Sequence, residues 1–252
     1  MSSLYKQTQH KRRVTMFSFP RSGSNWISYC IEQVSGLAVI GSDSHIGGVD
    51  VEERVKKDPK AVVHKTHGGN EIWGIFDNNN NHNEGLLLII RNYKESILRD
   101  AKNKPSYPQI HPIEDMKSSL IGLSNNTTSP DYLKMIQKYD KYDGPKLLID
   151  YDDFILNPKV ELIKIHEWLK QFGGDVNTDK LTDMINNFDK HRSFSMRRYI
   201  NMHGTTATDG DPKKLKIQKE TWLNDVTERE IDDYVKNRDP LIFEKYLKRY
   251  KL

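Results

Sequence analysis

The run Leu86-Leu87-Leu88-Ile89-Ile90, opened by Gly85, constrains this chain more than any other stretch. Five consecutive large apolar residues offer no polar face, so the run reads as a strand over Gly85–Ile90 buried on both sides. Such strands belong to parallel sheets covered by helices. The neighbouring segments agree. Val14–Phe19, Ala61–Val63 and Lys146–Ile149 are further strand candidates. Asn25–Val34 places Trp26, Ile27, Cys30, Ile31 and Val34 on one helical face, and Asn92–Asn103 follows the apolar run as a second helix. Pro158–Gln171 is amphipathic, with Val160, Ile163, Ile165, Trp168 and Leu169 as its apolar residues. This alternation predicts an α/β fold: a single domain with a central parallel sheet flanked by helices. Ligands of such sheets lie beyond the carboxyl ends of the strands, here just after Phe19, Val63 and Ile90.

A length of 252 residues suits one domain, taken as 13–252 behind a flexible basic segment at 1–12. Hydrophobic residues make up 36% and charged residues 29%, enough for a sizeable core without a disulfide or metal staple. Cys30 is the single cysteine, which fits a reducing compartment. No apolar run approaches the ~20 residues of a membrane span, and Met1 to Arg13 lack the apolar stretch of a secretory signal. A cytoplasmic protein with no membrane partner is expected. The net charge of +4 does not call for a nucleic-acid partner. Two basic clusters stand out, Lys11-Arg12-Arg13 and Lys213-Lys214-Leu215-Lys216 with Lys219; the first reads as a solvated face. The polar tract Asn78–Asn81 reads as an exposed loop.

Three segments could carry chemistry. Ser18-Phe19-Pro20-Arg21-Ser22-Gly23-Ser24-Asn25-Trp26 runs from a strand through a tight turn into a helix. Gly23 permits close backbone approach, Ser24 or Asn25 can cap the helix, and the first N–H groups with the helix dipole form an anion site. Arg21 adds a bidentate cationic donor. An ordinary turn between strand and helix could look the same. It is not a Walker A loop, because the basic residue precedes a lone glycine instead of following a second one.

The second segment is Val62-Val63-His64-Lys65-Thr66-His67. Histidine beyond a strand end suits a general base, since imidazole titrates near neutral pH. Lys65 would hold negative charge nearby, and His64 reads as a structural histidine pointing away from Lys65. Zinc is not expected, with one cysteine and no H-E-x-x-H spacing. The third segment, Ile90-Arg91-Asn92 through Arg99, ends a buried strand in a cation where a helix begins. Ser96 and Arg99 share a face of that helix.

Together these segments resemble the PAPS-dependent sulfotransferases, enzymes that use 3′-phosphoadenosine-5′-phosphosulfate (PAPS). Residues Phe19 to Trp26 are similar to their 5′-phosphosulfate loop, Y-P-K-S-G-T-T-W, and Lys65-Thr66-His67 to their K-T/S-H segment. Arg91-Asn92 resembles their 3′-phosphate motif, Leu148 to Phe154 their Y-E-D-L segment, and Trp222-Leu223-Asn224 their late G-x-W-K-N stretch. The matches fall in the family's order over residues 14 to 235.

The resemblance implies a P-loop-like fold and sulfuryl transfer to a hydroxyl or amine. Arg21, Ser22, Gly23, Ser24 and Asn25 would cradle the 5′-phosphosulfate, Trp26 would stack on adenine, and Arg91 would hold the 3′-phosphate. Lys65 would assist at the transferring group and His67 would be the base. Arg99 stands where the family often has serine; it would either reach the 3′-phosphate, with Ser96 supplying a hydroxyl, or pair with Glu95. The family's R-K-G clamp has no evident counterpart, and Lys214, Lys216 or Lys219, or else Arg197-Arg198, would have to replace it. The dimerisation segment is missing, which leaves the oligomeric state open. No metal is implied, the product is 3′-phosphoadenosine-5′-phosphate (PAP), and the acceptor is a small molecule or glycan. The enzymic alternative is a P-loop-type kinase with Asp150 on magnesium, and the non-catalytic one an anion- or polynucleotide-binding module.

Overall fold

The apolar run at 85–90 divides its side chains between two cores, one on each face of a five-stranded sheet. The computed structural model describes residues 14–41, 62–67, 85–96, 132–175, 177–203 and 225–251. Strands β1 (Val14–Ser18), β2 (Ala38–Gly41), β3 (Val62–Thr66), β4 (Gly85–Ile90) and β5 (Lys146–Asp150) lie in the order β2-β3-β1-β4-β5, and every pairing is parallel. Leu87 and Ile89 of β4 enter one core with Val14, Met16, Val63 and Ile149. Leu86, Leu88 and Ile90 enter the other with Phe17 and Phe19. A two-residue period thus builds both layers from one strand.

Helices cover both faces. On the first, α1 (Ser24–Ser35), α3 (Tyr151–Leu156), α4 (Pro158–Lys170), α5 (Asp179–Asn186) and α6 (Phe188–His203) supply Ile27, Ile31, Phe154, Leu162, Ile165, Leu181 and Phe188. On the second, α2 (Tyr132–Lys141), α7 (Asp225–Arg238) and the C-terminal turns supply Met135, Ile136, Ile231, Val235, Phe243 and Leu247. The expected single α/β domain with a central parallel sheet is the observed one.

Three elements differ from the sequence reading. β3 continues to Thr66, three residues past the expected end, because it lies between β2 and β1 and both ladders hold its polar residues. His64 and Lys65 are therefore strand residues, and His67 is the first beyond the ladder. β2 was not anticipated; its apolar signal, Ala38-Val39-Ile40, is only a few residues long and lies between glycines. In α4 the core stripe is Leu162, Ile165 and Leu169, spaced three and four apart, while Val160 and Ile163 face solvent at 62% and 39% exposure. Of the expected helix after β4, residues 93–96 are helical and 97–103 lie outside the described residues.

Candidate active site

The sheet order sets β3, β1 and β4 side by side, and the register Phe17↔Thr66 and Ser18↔Ile89 brings their carboxyl ends level. The turns after all three strands therefore open at one edge. Between β1 and α1 the chain folds back, with Ser22 N–H donating to the Phe19 carbonyl at 3.2 Å. Arg21 and Gly23 both take left-handed backbone, at φ 68 and φ 83. Glycine accepts this freely, whereas a side chain costs about 1–2 kcal/mol. Turns of this kind form anion-binding concavities. Gly23 is the N-cap of α1 and has no side chain with which to cap it, so neither Ser24 nor Asn25 plays the expected part. Ser24 is already the first helical residue, and the Asn25 carboxamide oxygen instead accepts from Lys65 Nζ. The leading N–H groups of α1 have no intrahelical acceptor and stand at the positive end of the helix dipole.

Gly23 has a second requirement. A Cβ there would meet Tyr151 Cε2 at 2.1 Å, so the tyrosine ring packs directly on the loop backbone. The same ring lies under Arg91, whose guanidinium carbon is 4.7 Å from the ring centroid. Tyr151 therefore joins two anion-site segments that lie far apart in sequence. Sequence reasoning gave it no role; the only signal was its place in the segment that follows β5.

Lys65 is 1% exposed and reaches the start of α1 from the end of β3. His67 Nδ1 is 2.9 Å from the Ser18 carbonyl oxygen and 3.2 Å from Ser18 Oγ. A carbonyl only accepts, so Nδ1 carries the proton and the lone pair of the neutral ring falls on Nε2. That is the tautomer a base at Nε2 requires.

Arg91 is held from several sides. Its Nη2 donates to Glu95 Oε2 at 2.7 Å, its Nη1 lies 3.5 Å from the Arg21 carbonyl, and its own carbonyl accepts from the Tyr132 hydroxyl at 2.5 Å. Nε is buried with no hydrogen-bond partner among the described residues. Ser96 meets the loop, its Oγ 3.4 Å from Ser22 Oγ, with both side chains buried. Behind this turn, buried Lys94 binds Asp232 at 3.0 Å and Glu228 at 3.1 Å, and the Tyr93 hydroxyl donates to the same Asp232. The cluster ties the Arg91 turn to α7. Removing one partner from such a buried pair costs roughly 3–5 kcal/mol. Burial pushes the Asp152 carboxyl above its ordinary range, with nearby Arg91 pulling the other way.

Trp26 is 8% exposed, stacked on Tyr29 at 5.6 Å and met edge-on by Phe154 and Phe188. Tyr29 thus takes one of its ring faces, and the indole Nε1 is buried with no partner among the described residues. Asp150, the magnesium ligand of the kinase alternative, is occupied otherwise. It caps α3 by accepting from the N–H groups of Asp152 and Asp153, accepts from the Tyr250 hydroxyl, and pairs with Arg249 at 3.0 Å. Among the described residues no group of three or more His, Cys, Asp or Glu is placed to hold a metal ion, and no helix is long and apolar enough to cross a membrane. Arg99, Lys214, Lys216, Lys219 and Trp222 lie outside the described residues.

No protein-family profile matches this chain, and no curated protein matches it. Among solved structures it is similar to mouse sulfotransferase SULT7A1 complexed with PAP, at a TM-score of 0.59 and 19% sequence identity. That alignment covers 95% of this chain and 88% of the mouse chain. At this identity the likeness shows a shared fold.

Proposed function

We propose that this protein transfers a sulfuryl group from PAPS to a hydroxyl or amine of a small-molecule or glycan acceptor. One observation carries the reading: the glycine-capped N-terminus of α1, buried Lys65, Arg91 with no partner for Nε among the described residues, and His67 with Nδ1 on the Ser18 carbonyl all converge at one edge of the sheet. The fold shared with a PAP-complexed sulfotransferase supports it. PAPS supplies a sulfuryl group on a good leaving phosphate. Arg21, Ser22, Gly23, Ser24 and Asn25 would bind the 5′ end through side chains and backbone N–H groups, and Arg91 the 3′-phosphate. Trp26 would line the base site.

His67 Nε2 would take the acceptor proton as the acceptor oxygen attacks sulfur. The bond from sulfur to the bridging oxygen breaks, and charge grows on that oxygen. Lys65 and Arg21, with the N–H groups of the loop, would stabilise it. The transferring group carries less charge than a terminal phosphate, so fixed cations can serve here. The kinase alternative loses support because Asp150 is committed to a helix cap and two side-chain partners.

Sulfur-labelled PAPS, offered with a panel of phenols, sugars and amines in excess chelator, tests the reaction. Label is expected to reach at least one acceptor at a rate that the chelator leaves unchanged. Transfer of phosphate from ATP that the chelator abolishes, with none from PAPS, would overturn the proposal in favour of a kinase.

A further inference from the structure

The strongest partner of Arg91 is an anion of its own chain. Glu95 Oε2 accepts from Nη2 at 2.7 Å, and the pair is largely shielded, with side-chain exposures of 12% and 22%. Nη2 and Nε lie on the same edge of a guanidinium, the edge a carboxylate or phosphate binds bidentately. Glu95 holds one nitrogen of that edge, while Nε is buried and has no partner among the described residues. The edge is therefore half satisfied. A phosphate that accepted from Nε and Nη2 in parallel would complete it, but only by displacing Glu95.

Helix stabilisation does not account for the pair. On a helix the favourable order places the acid before the base at i,i+4, and here Arg91 precedes Glu95. Arg91 also precedes the helical residues 93–96. The Asp152 carboxyl feels both groups, stabilised by Arg91 and opposed by Glu95, which marks the surroundings as acidic already. A second carboxylate beside Arg91 weakens the anion site that Arg91 serves. Its consequence is for binding.

We infer that Glu95 is an internal competitor for the phosphate site of Arg91. It occupies the guanidinium edge while the nucleotide is absent and reclaims it as the product leaves. The inference rests on the proposed PAPS reading and concerns the release of its product, PAP. A dianionic 3′-phosphate outcompetes one carboxylate by charge and by its second hydrogen bond. A ligand without that phosphate leaves the Arg91–Glu95 pair intact and neither gains nor loses by it. Glu95 would thus discriminate by phosphate while keeping PAP dissociation fast.

The test compares PAP with adenosine 5′-phosphate (AMP), which lacks only the 3′-phosphate, by stopped-flow dissociation and calorimetry on the full chain. Glu95→Gln is expected to slow PAP dissociation about fivefold and to tighten PAP by a similar factor, as for a partly exposed ion pair. AMP affinity should not move. Glu95→Ala should act in the same direction, so the result does not depend on one substitution's packing. Weaker PAP binding in both variants would make Glu95 a support for Arg91 and overturn the inference. Equal tightening of AMP would overturn it too, since the effect would then not act through the 3′-phosphate. Wild-type protein that binds neither nucleotide would instead remove the donor reading on which the inference stands.

Discussion

Replacing His67 by alanine is expected to lower sulfuryl transfer by about a hundredfold or more, as for a lost general base. PAP affinity should stay within about twofold, because a base acts in the transition state and adds little to ground-state binding. The geometry behind this is the Nδ1 contact with the Ser18 carbonyl at 2.9 Å, which puts the lone pair of the neutral ring on Nε2. Alanine removes that lone pair and leaves the strand-end backbone in place. His64→Ala is the control. His64 is 4% exposed within β3, opposite Thr15 and Ile40, so its loss should act on stability, with transfer by the folded protein little changed. Single-turnover transfer measured beside calorimetric PAP binding separates the two. If His64→Ala abolishes transfer and His67→Ala does not, the base has been placed on the wrong side of the strand.

Gly23→Ala is expected to damage both stability and nucleotide binding, and Gly36→Ala only the first. Both glycines are left-handed, at φ 83 and φ 66, so both substitutions carry the ~1–2 kcal/mol backbone penalty. At Gly36 the nearest atom to an added Cβ is Asp175 Cβ at 3.8 Å, an ordinary contact. At Gly23 the Cβ would sit 2.1 Å from Tyr151 Cε2, and the ring must move from beneath Arg91. Overpacking of this sort adds about 1–3 kcal/mol, for a total of roughly 2–5 kcal/mol and a fall in Tm of roughly 5–15 °C. The displaced ring also unseats the guanidinium, so PAP binding should fall below detection in Gly23→Ala and stay unchanged in Gly36→Ala. Equal losses of stability, with binding intact in both, would mean that Tyr151 does not link the loop to Arg91.

How much of this was legible depends on the range of each signal. β4 announced itself because five apolar residues in a row have only one stable setting, and β1 and α1 followed from local pattern. The polar end of β3 did not, since His64-Lys65-Thr66 becomes strand only when β1 and β2 pair on either side. Of the candidate site, Arg21, Gly23, Lys65, His67 and Arg91 were readable as polar or turn residues near strand ends, and the structure places them at one edge of the sheet. Tyr151, packed on Gly23 across the fold, was not. Nor was buried Lys94 with Asp232, a contact spanning 138 positions. Cap chemistry misled for a related reason: Asn25 has the right side chain for a cap, but Lys65, 40 residues on, claims it. Long-range partners decide these cases, and a single sequence carries no record of them.

Arg91 and the 3′-phosphate decide whether this protein uses PAPS. Calorimetry of PAP against ATP, on the wild-type chain and on Arg91→Ala, tests that most directly. The wild type is expected to favour PAP by about tenfold or more, the size of a charge-assisted bond pair, and Arg91→Ala to lose that preference. Equal affinity for the two nucleotides, or a preference that survives in Arg91→Ala, would contradict it.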